Sequence, residues 1–147
     1  MSSFGILFVD DEKNILSALK RLTRELEVNC YFANSGKEGL EVLKQEKIHI
    51  VVSDMRMPEM MGDEFLANVR KSYPETVRFL LTGQSDFQST INAVNKGGIT
   101  RFISKPWDDD QLISILNDAL NILKLEKENK SLKTKIEAQN LLLAKSN

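Results

Sequence analysis

Short apolar runs alternate with longer amphipathic stretches along most of this 147-residue chain, and this alternation constrains its fold more than any other feature. The apolar runs predict strands near residues 5–9, 28–33, 48–53, 77–82 and 100–103. The stretches between them predict helices near residues 13–26, 35–46, 62–72 and 85–96. Parallel strands need crossover connections, which are usually helical. The pattern therefore predicts an α/β domain with a five-stranded parallel sheet and helices on both faces.

Side chains suited to ion or phosphate chemistry follow four of the five predicted strands. Asp10 and Asp11 follow the first strand, Asp54 ends the third, Thr82 ends the fourth, and Lys105 follows the fifth. Each has a structural explanation on its own, because acids cap helices, threonine opens turns and lysine lies on surfaces. Ligands of open α/β sheets, however, bind outside the carboxyl ends of the strands. The recurrence at four strand ends favours a functional site, in which the adjacent carboxylates would hold a divalent cation.

The set of residues at these strand ends resembles the receiver domain of two-component response regulators, the CheY-like family. The segment DMRMPEMMG, which starts at Asp54, also matches the family's pattern, with Pro58 and Gly62 at the expected distances. The resemblance covers residues 4 to about 120. It implies a doubly wound, flavodoxin-like sheet with strand order 2-1-3-4-5 and a phosphorylation-dependent signalling switch.

The resemblance implies a role for each acid of the site. Asp54 would accept a phosphoryl group from a sensor histidine kinase or a phosphotransfer protein. Mg²⁺, or Mn²⁺ in its place, would be held by Asp11 directly, by Asp10 through water, by Asp54 and by the backbone carbonyl of Arg56. The ion would mask negative charge on both reactants. Because the domain would turn over no external metabolite, the resemblance implies a switch rather than an enzyme.

Three further residues are implied in catalysis and switching. Lys105 would pair with one phosphoryl oxygen and the Thr82 hydroxyl with another. Thr82 would move towards the phosphoryl group, and Phe102 would turn inward to fill the vacated space. The output face would then comprise the helix predicted near residues 85–96, the fifth strand and the helix that follows this strand. The alternative for Phe102 is a permanently buried core side chain.

The C-terminal segment predicts a helix longer than a receiver domain buries, because no Pro or Gly follows Pro106. Alternating three- and four-residue steps connect Ile122, Leu125, Asn129, Leu132, Ile136, Gln139 and Leu143. Such spacing is typical of a coiled-coil seam, in which a buried Asn129 would favour parallel two-stranded pairing. We therefore expect a receiver domain in residues 1–120 and a dimerising parallel coiled coil in residues 121–147. A solvated or frayed tail is the alternative.

Composition and charge exclude several other classes of protein. Cys30 is the only cysteine, so a disulfide framework and a thiolate metal site are excluded. No apolar run approaches the ~20 residues of a membrane span, and no signal peptide is visible. We therefore expect a cytoplasmic protein without membrane contact. Because the chain lacks a clustered basic face and a reading motif, we expect no direct nucleic-acid binding.

The predicted seam ends at LLLAKSN, and we expect the output domain to be absent from this chain. Receivers with the phrase KPWDDDQL often continue into such a domain, for example an HD-GYP or GGDEF enzyme. Two other functions stay open: a constitutive dimerisation scaffold with a vestigial site, and a small aspartate-nucleophile phosphatase. The phosphatase would need an Asp-x-Asp motif, whereas the two acids here are adjacent. The complete set of site residues argues against the scaffold.

Overall fold

A computed structural model gives the structure of the chain and describes residues 4–83 and 98–146. Within them, the strands are β1 (Gly5–Val9), β2 (Asn29–Ala33), β3 (Ile50–Asp54), β4 (Val77–Thr82) and β5 (Arg101–Ser104). The helices are α1 (Lys13–Leu22), α2 (Gly36–Gln45), α3 (Gly62–Ser72) and α4 (Asp109–Ser146), with a 3₁₀ turn at Thr23–Glu25. All five predicted strands are present. The helix predicted near residues 85–96 lies outside the described residues.

The strands are all parallel and lie in the order β2-β1-β3-β4-β5. This confirms the predicted flavodoxin-like sheet. From β1 the chain runs outward to β2 and then crosses back to β3, so β1 and β3 are neighbours, with Phe8 beside Val52. The carboxyl ends of β1 and β3 therefore lie together at the point where the strand order reverses.

β1 and β3 form the centre of the sheet, and every residue of both strands is buried. On one face, Leu7, Val51 and Leu80 of the sheet belong to the same apolar cluster as Phe65 and Leu66 of α3. Continuous burial is expected of parallel strands that are covered on both faces. The two strands that carry the acidic residues at their ends are thus fixed by the core.

α1 is shorter than predicted, because it ends at Leu22 rather than near residue 26. The buried Thr23 hydroxyl donates a hydrogen bond to the Leu19 carbonyl at 2.7 Å. The chain then tightens into the 3₁₀ turn, and Leu26 adopts an extended backbone. A threonine hydroxyl that bonds to a carbonyl one turn back competes with regular helix. This competition explains the early end of α1.

The chain divides into two compact units, Met1–Leu112 and Ile113–Asn147. The second unit contains most of α4, and the predicted long C-terminal helix is confirmed. α4 begins after Asp108, whose side chain accepts a hydrogen bond from the Asp110 N–H at 3.0 Å. This is the usual way to satisfy a free N–H at a helix start.

Burial changes sharply along α4. Leu116 and Leu120 are buried, whereas four large apolar side chains of the predicted seam are more than half exposed. These exposed residues are Ile122 (57%), Leu125 (60%), Leu132 (55%) and Ile136 (54%). Within the described part of the chain, no helix combines the length and apolar character needed to cross a membrane.

Candidate functional site

Three carboxylates gather at the carboxyl ends of β1 and β3. Asp10 and Asp54 are buried, Asp11 is accessible to solvent, and one ligand oxygen from each lies within 4.8 Å of the others. Divalent cations such as Mg²⁺ are bound by oxygen ligands of this kind, and a cation offsets the repulsion between like charges. The donor set of this acidic cluster (Asp10, Asp11 and Asp54) therefore fits a hard divalent metal ion.

Lys105 connects the acidic cluster with β5, an edge strand of the sheet. Its Nζ lies 2.9 Å from Asp10 Oδ2 and 2.9 Å from Asp54 Oδ1. Its backbone N–H donates to the Thr82 carbonyl at 2.9 Å, and the Lys105–Pro106 peptide bond is cis. The lysine follows β5 but reaches across β4 to residues after β1 and β3. It thus offsets part of the charge of the two buried carboxylates.

Burial controls the protonation of Asp54. The pKa of Asp54 is raised from 3.8 to about 6, mainly because burial removes solvent; the Lys105 hydrogen bond opposes this rise, and the nearby charge of Asp10 adds to it. For Lys105, burial lowers the pKa, but the hydrogen bonds to Asp10 and Asp54 outweigh burial and raise it overall. The lysine is therefore charged at neutral pH. Asp54 is ionised there too, but burial makes its anionic form less stable than it would be in water. Further positive charge nearby would therefore stabilise the anion.

The raised pKa of Asp54 predicts a pH-dependent stability. The folded chain binds more protons than the unfolded chain between pH 3.8 and about 6, so the free energy of unfolding should fall as pH rises through this window. Asp54→Asn removes this dependence. Relative to that variant, we expect the parent chain to lose on the order of 1–3 kcal/mol between pH about 4 and about 7.5. Urea unfolding of both chains in EDTA measures the difference, and parallel pH profiles would contradict the prediction.

The other predicted site residues lie on or after β3, β4 and β5. Thr82 is half-buried at the end of β4, where its hydroxyl donates to the Gly83 carbonyl at 3.3 Å. Arg56 is exposed in the loop after β3. Phe102 lies on β5 beside Leu80 and is 37% exposed. In this structure Phe102 is therefore not a buried core side chain, and that alternative is wrong for the conformation described.

Gly62 has a steric role at the site that its motif position alone does not specify. Its N–H donates to the Met55 carbonyl at 2.7 Å, and a Cβ at this residue would overlap the backbone carbonyl of Asp54. The loop between β3 and α3 therefore folds tightly back under Asp54. The sequence signal was the glycine at the start of a helix, but only the fold reveals what it contacts.

The five-stranded parallel fold and the acidic cluster at the carboxyl ends of its central strands are those of a response regulator receiver. A sequence profile of the family described as Response regulator receiver domain matches residues 6–117. The chain therefore belongs to this family of two-component signalling domains, and the predicted family is confirmed. A phosphorylation-dependent signalling role is the function that members of the family share.

Relatives and solved structures agree with this assignment. Hydrogenase transcriptional regulatory protein HoxA of Bradyrhizobium diazoefficiens is 35% identical over 134 residues, covering 90% of this chain and 27% of HoxA. A crystal structure of an uncharacterized protein from Neptuniibacter caesariensis is 43% identical with a TM-score of 0.80, covering 87% of this chain and 95% of that one. The signal receiver domain of an HD domain-containing protein from Pseudomonas fluorescens Pf-5 is 38% identical with a TM-score of 0.76, covering 80% and 94%. The chain spans about a quarter of the length of the curated relatives it matches.

Proposed function

We propose that the chain is a phosphorylation-controlled switch that accepts a phosphoryl group on Asp54 from a sensor histidine kinase or a phosphotransfer protein. The observation that carries this proposal is the grouping of Asp54 with Asp10, Asp11 and Lys105 at the carboxyl ends of the strands. A carboxylate held beside a metal-binding acid pair and a lysine is equipped to attack phosphorus and to stabilise the charge that develops.

Each residue of the site has a separate role in phosphoryl transfer. An Asp54 carboxylate oxygen forms the new bond to phosphorus, while the donor's nitrogen or oxygen leaves. Asp11, Asp54 and the Arg56 backbone carbonyl would hold Mg²⁺ or Mn²⁺, with Asp10 contributing through water. The ion would supply positive charge that offsets the repulsion between the two anionic reactants. Lys105 donates to a phosphoryl oxygen, since its ammonium already lies 2.9 Å from Asp54.

Phosphorylation is then passed on through Thr82 and Phe102. The Thr82 hydroxyl donates to the neighbouring Gly83 carbonyl at 3.3 Å, a long hydrogen bond that it exchanges for one to the phosphoryl group. Its movement opens space beside β4 for Phe102, whose exposed ring lies on the adjacent strand. The change of surface on β5, α4 and the segment predicted near residues 85–96 is the signal. Because the domain acts only on its own phosphoryl group, it is a switch rather than an enzyme.

The C-terminal helix joins two copies of the chain. Ile122, Leu125, Leu132 and Ile136 share one helical stripe and are each more than half exposed, and a second stripe of the same sequence would cover them. Asn129 at a seam position and the complementary charges of Glu128 and Lys133 favour a parallel dimer in one register. On this basis, residues 1–120 form the receiver domain and residues 121–147 the dimerising extension.

The dimer transmits the signal to an output domain or a partner. Two findings support such a role: the chain matches only about a quarter of its curated relatives, and one similar solved structure is the receiver of an HD domain-containing protein. The place of action is the cytoplasm, with neither membrane nor nucleic acid as a direct partner of the receiver.

Metal dependence tests the proposed chemistry. Incubation of the full chain with Mg²⁺ and acetyl phosphate should add one phosphoryl group per chain, measured by intact mass. Replacing Mg²⁺ with EDTA should abolish the adduct, because Lys105 alone cannot offset the charge of three carboxylates and a phosphate. A folded dimer that never forms an adduct would favour the constitutive scaffold. Sustained phosphate release from unrelated phosphomonoesters would favour the phosphatase.

A further inference from the structure

Arg78 on β4 has a fixed guanidinium on the side of the sheet covered by α3. Its Nε donates to the Gly98 carbonyl at 3.1 Å, and its Nη1 donates to the carbonyls of Thr76 at 2.8 Å and Pro74 at 3.3 Å. These three bonds leave the two N–H groups of Nη2 without a hydrogen bond among the described residues. The group is thus oriented in advance, with one unused donor edge.

Arg70, in the last turn of α3, brings a second guanidinium to the same place. A Cβ placed on Gly98 would lie 3.1 Å from Arg70 Nε and 3.2 Å from Arg78 Nη2. The two nitrogens are therefore no more than roughly 6 Å apart, a spacing that one oxyanion can bridge. Gly98 has a positive φ of 58°, which a glycine adopts without strain. A side chain at this position would crowd both arginines.

Charge at this arginine pair (Arg70 and Arg78) is uncompensated within residues 4–83 and 98–146, where neither arginine makes an ion pair with a carboxylate. Burial lowers the pKa of Arg78, and the nearby charge of Arg70 lowers it further. The negative end of α3 favours cations in its last turn, where Arg70 and Lys71 are both basic. Two like charges held together in this way stabilise a bound anion.

We propose that Arg70 and Arg78 form a binding site for a phosphate-type oxyanion, separate from the site at Asp54. Arg78 pairs with Val51, three residues before Asp54 on the neighbouring strand, and therefore lies towards the amino ends of the strands. The ligand oxygens accept from the free Nη2 edge of Arg78 and from the guanidinium of Arg70. The ligand is either free inorganic phosphate or the phosphate group of a nucleotide, and both present the same oxygens to the two arginines.

A titration with inorganic phosphate tests the proposal. In the ¹⁵N-labelled full chain, kept at constant ionic strength with NaCl and free of divalent metal, the Gly98 amide and Arg78 Nε resonances should shift saturably. Arg70→Gln should weaken this binding about tenfold or more, since one charge-assisted contact is lost. Because the Arg70 side chain makes no hydrogen bond to the described residues, this variant is expected to remain folded. Titration with AMP distinguishes the two sources: tighter binding than phosphate identifies a nucleotide ligand, and equal or weaker binding identifies free phosphate.

Two control variants make the result specific to this site. Lys71→Gln removes the adjacent charge on α3 and should leave phosphate binding within about twofold of the parent, because Lys71 is not part of the pair. Asp54→Asn should leave the shifts at Gly98 unchanged, which separates them from events at the phosphorylation site. Phosphate that acts no differently from chloride overturns the proposal. Equal losses in Arg70→Gln and Lys71→Gln overturn it too, since they would indicate general charge attraction alone.

Discussion

Asp54→Asn should abolish the phosphorylated adduct while leaving the chain folded. The substitution replaces a nucleophilic carboxylate oxygen with an amide that does not attack phosphorus. Asparagine has nearly the same shape, and it removes an anion whose burial is unfavourable, so the fold should be preserved or stabilised. With Mg²⁺ and acetyl phosphate, we expect the adduct measured by intact mass to fall by more than about a hundredfold.

The controls for this experiment separate the nucleophile from its surroundings. Asp63→Asn changes another carboxylate, in the first turn of α3, and should leave the adduct at the parent level. Lys105→Ala keeps the nucleophile but removes the ammonium that contacts Asp54, so phosphorylation should be slowed rather than eliminated. An adduct that persists in Asp54→Asn would place the phosphoryl group on a different residue and refute the proposed mechanism.

Truncation after Leu120 should convert a dimer into a monomer that is still phosphorylated. The truncation removes the exposed stripe of α4, and an isolated helix of this composition is marginal in water unless its apolar face is covered. Sedimentation equilibrium at tens of micromolar should give twice the chain mass for the full chain and a single chain mass for the truncated one. The same mass for both chains would reject the proposed seam without affecting the receiver.

Two exposed leucines provide a matched pair of point variants. Leu132 lies on the predicted seam and is 55% exposed, whereas Leu141 lies off the seam and is 61% exposed. Leu132→Asp should dissociate the dimer, because a charge would be buried between two helices. Leu141→Asp should leave the mass unchanged. Dissociation by both variants would indicate general hydrophobic association, and dissociation by neither would rule out the proposed register.

The sheet could be predicted from sequence because its determinants are local. Continuous apolar runs locate β1 and β3, and helical crossovers restrict the strands to parallel pairing. The end of α1 could not be placed in the same way, since it depends on a hydrogen bond from the Thr23 hydroxyl to the Leu19 carbonyl. This hydrogen bond forms where Thr23 is buried in the folded chain, and the periodicity of the sequence does not predict it.

The candidate site was predictable as a set of residues but not as a set of contacts. Parallel strands bring their carboxyl ends together, so Asp10 and Asp54 were expected to be close. The reach of Lys105 across β4 to both acids depends on side-chain conformation, which sequence spacing does not specify. The arginine pair left no sequence signal, because Arg70 on α3 and Arg78 on β4 are brought together near Gly98 only by the fold.

At Gly62, the proposed phosphorylation site depends on a residue that has no reactive side chain. The clearance between α3 and the Asp54 carbonyl admits a hydrogen atom but no methyl group. Any larger residue must displace either the helix or the backbone that carries the nucleophile. In a saturation scan scored by phosphoryl uptake, position 62 should therefore be as intolerant as the acids themselves, and substituted chains should lose uptake in order of side-chain volume rather than polarity.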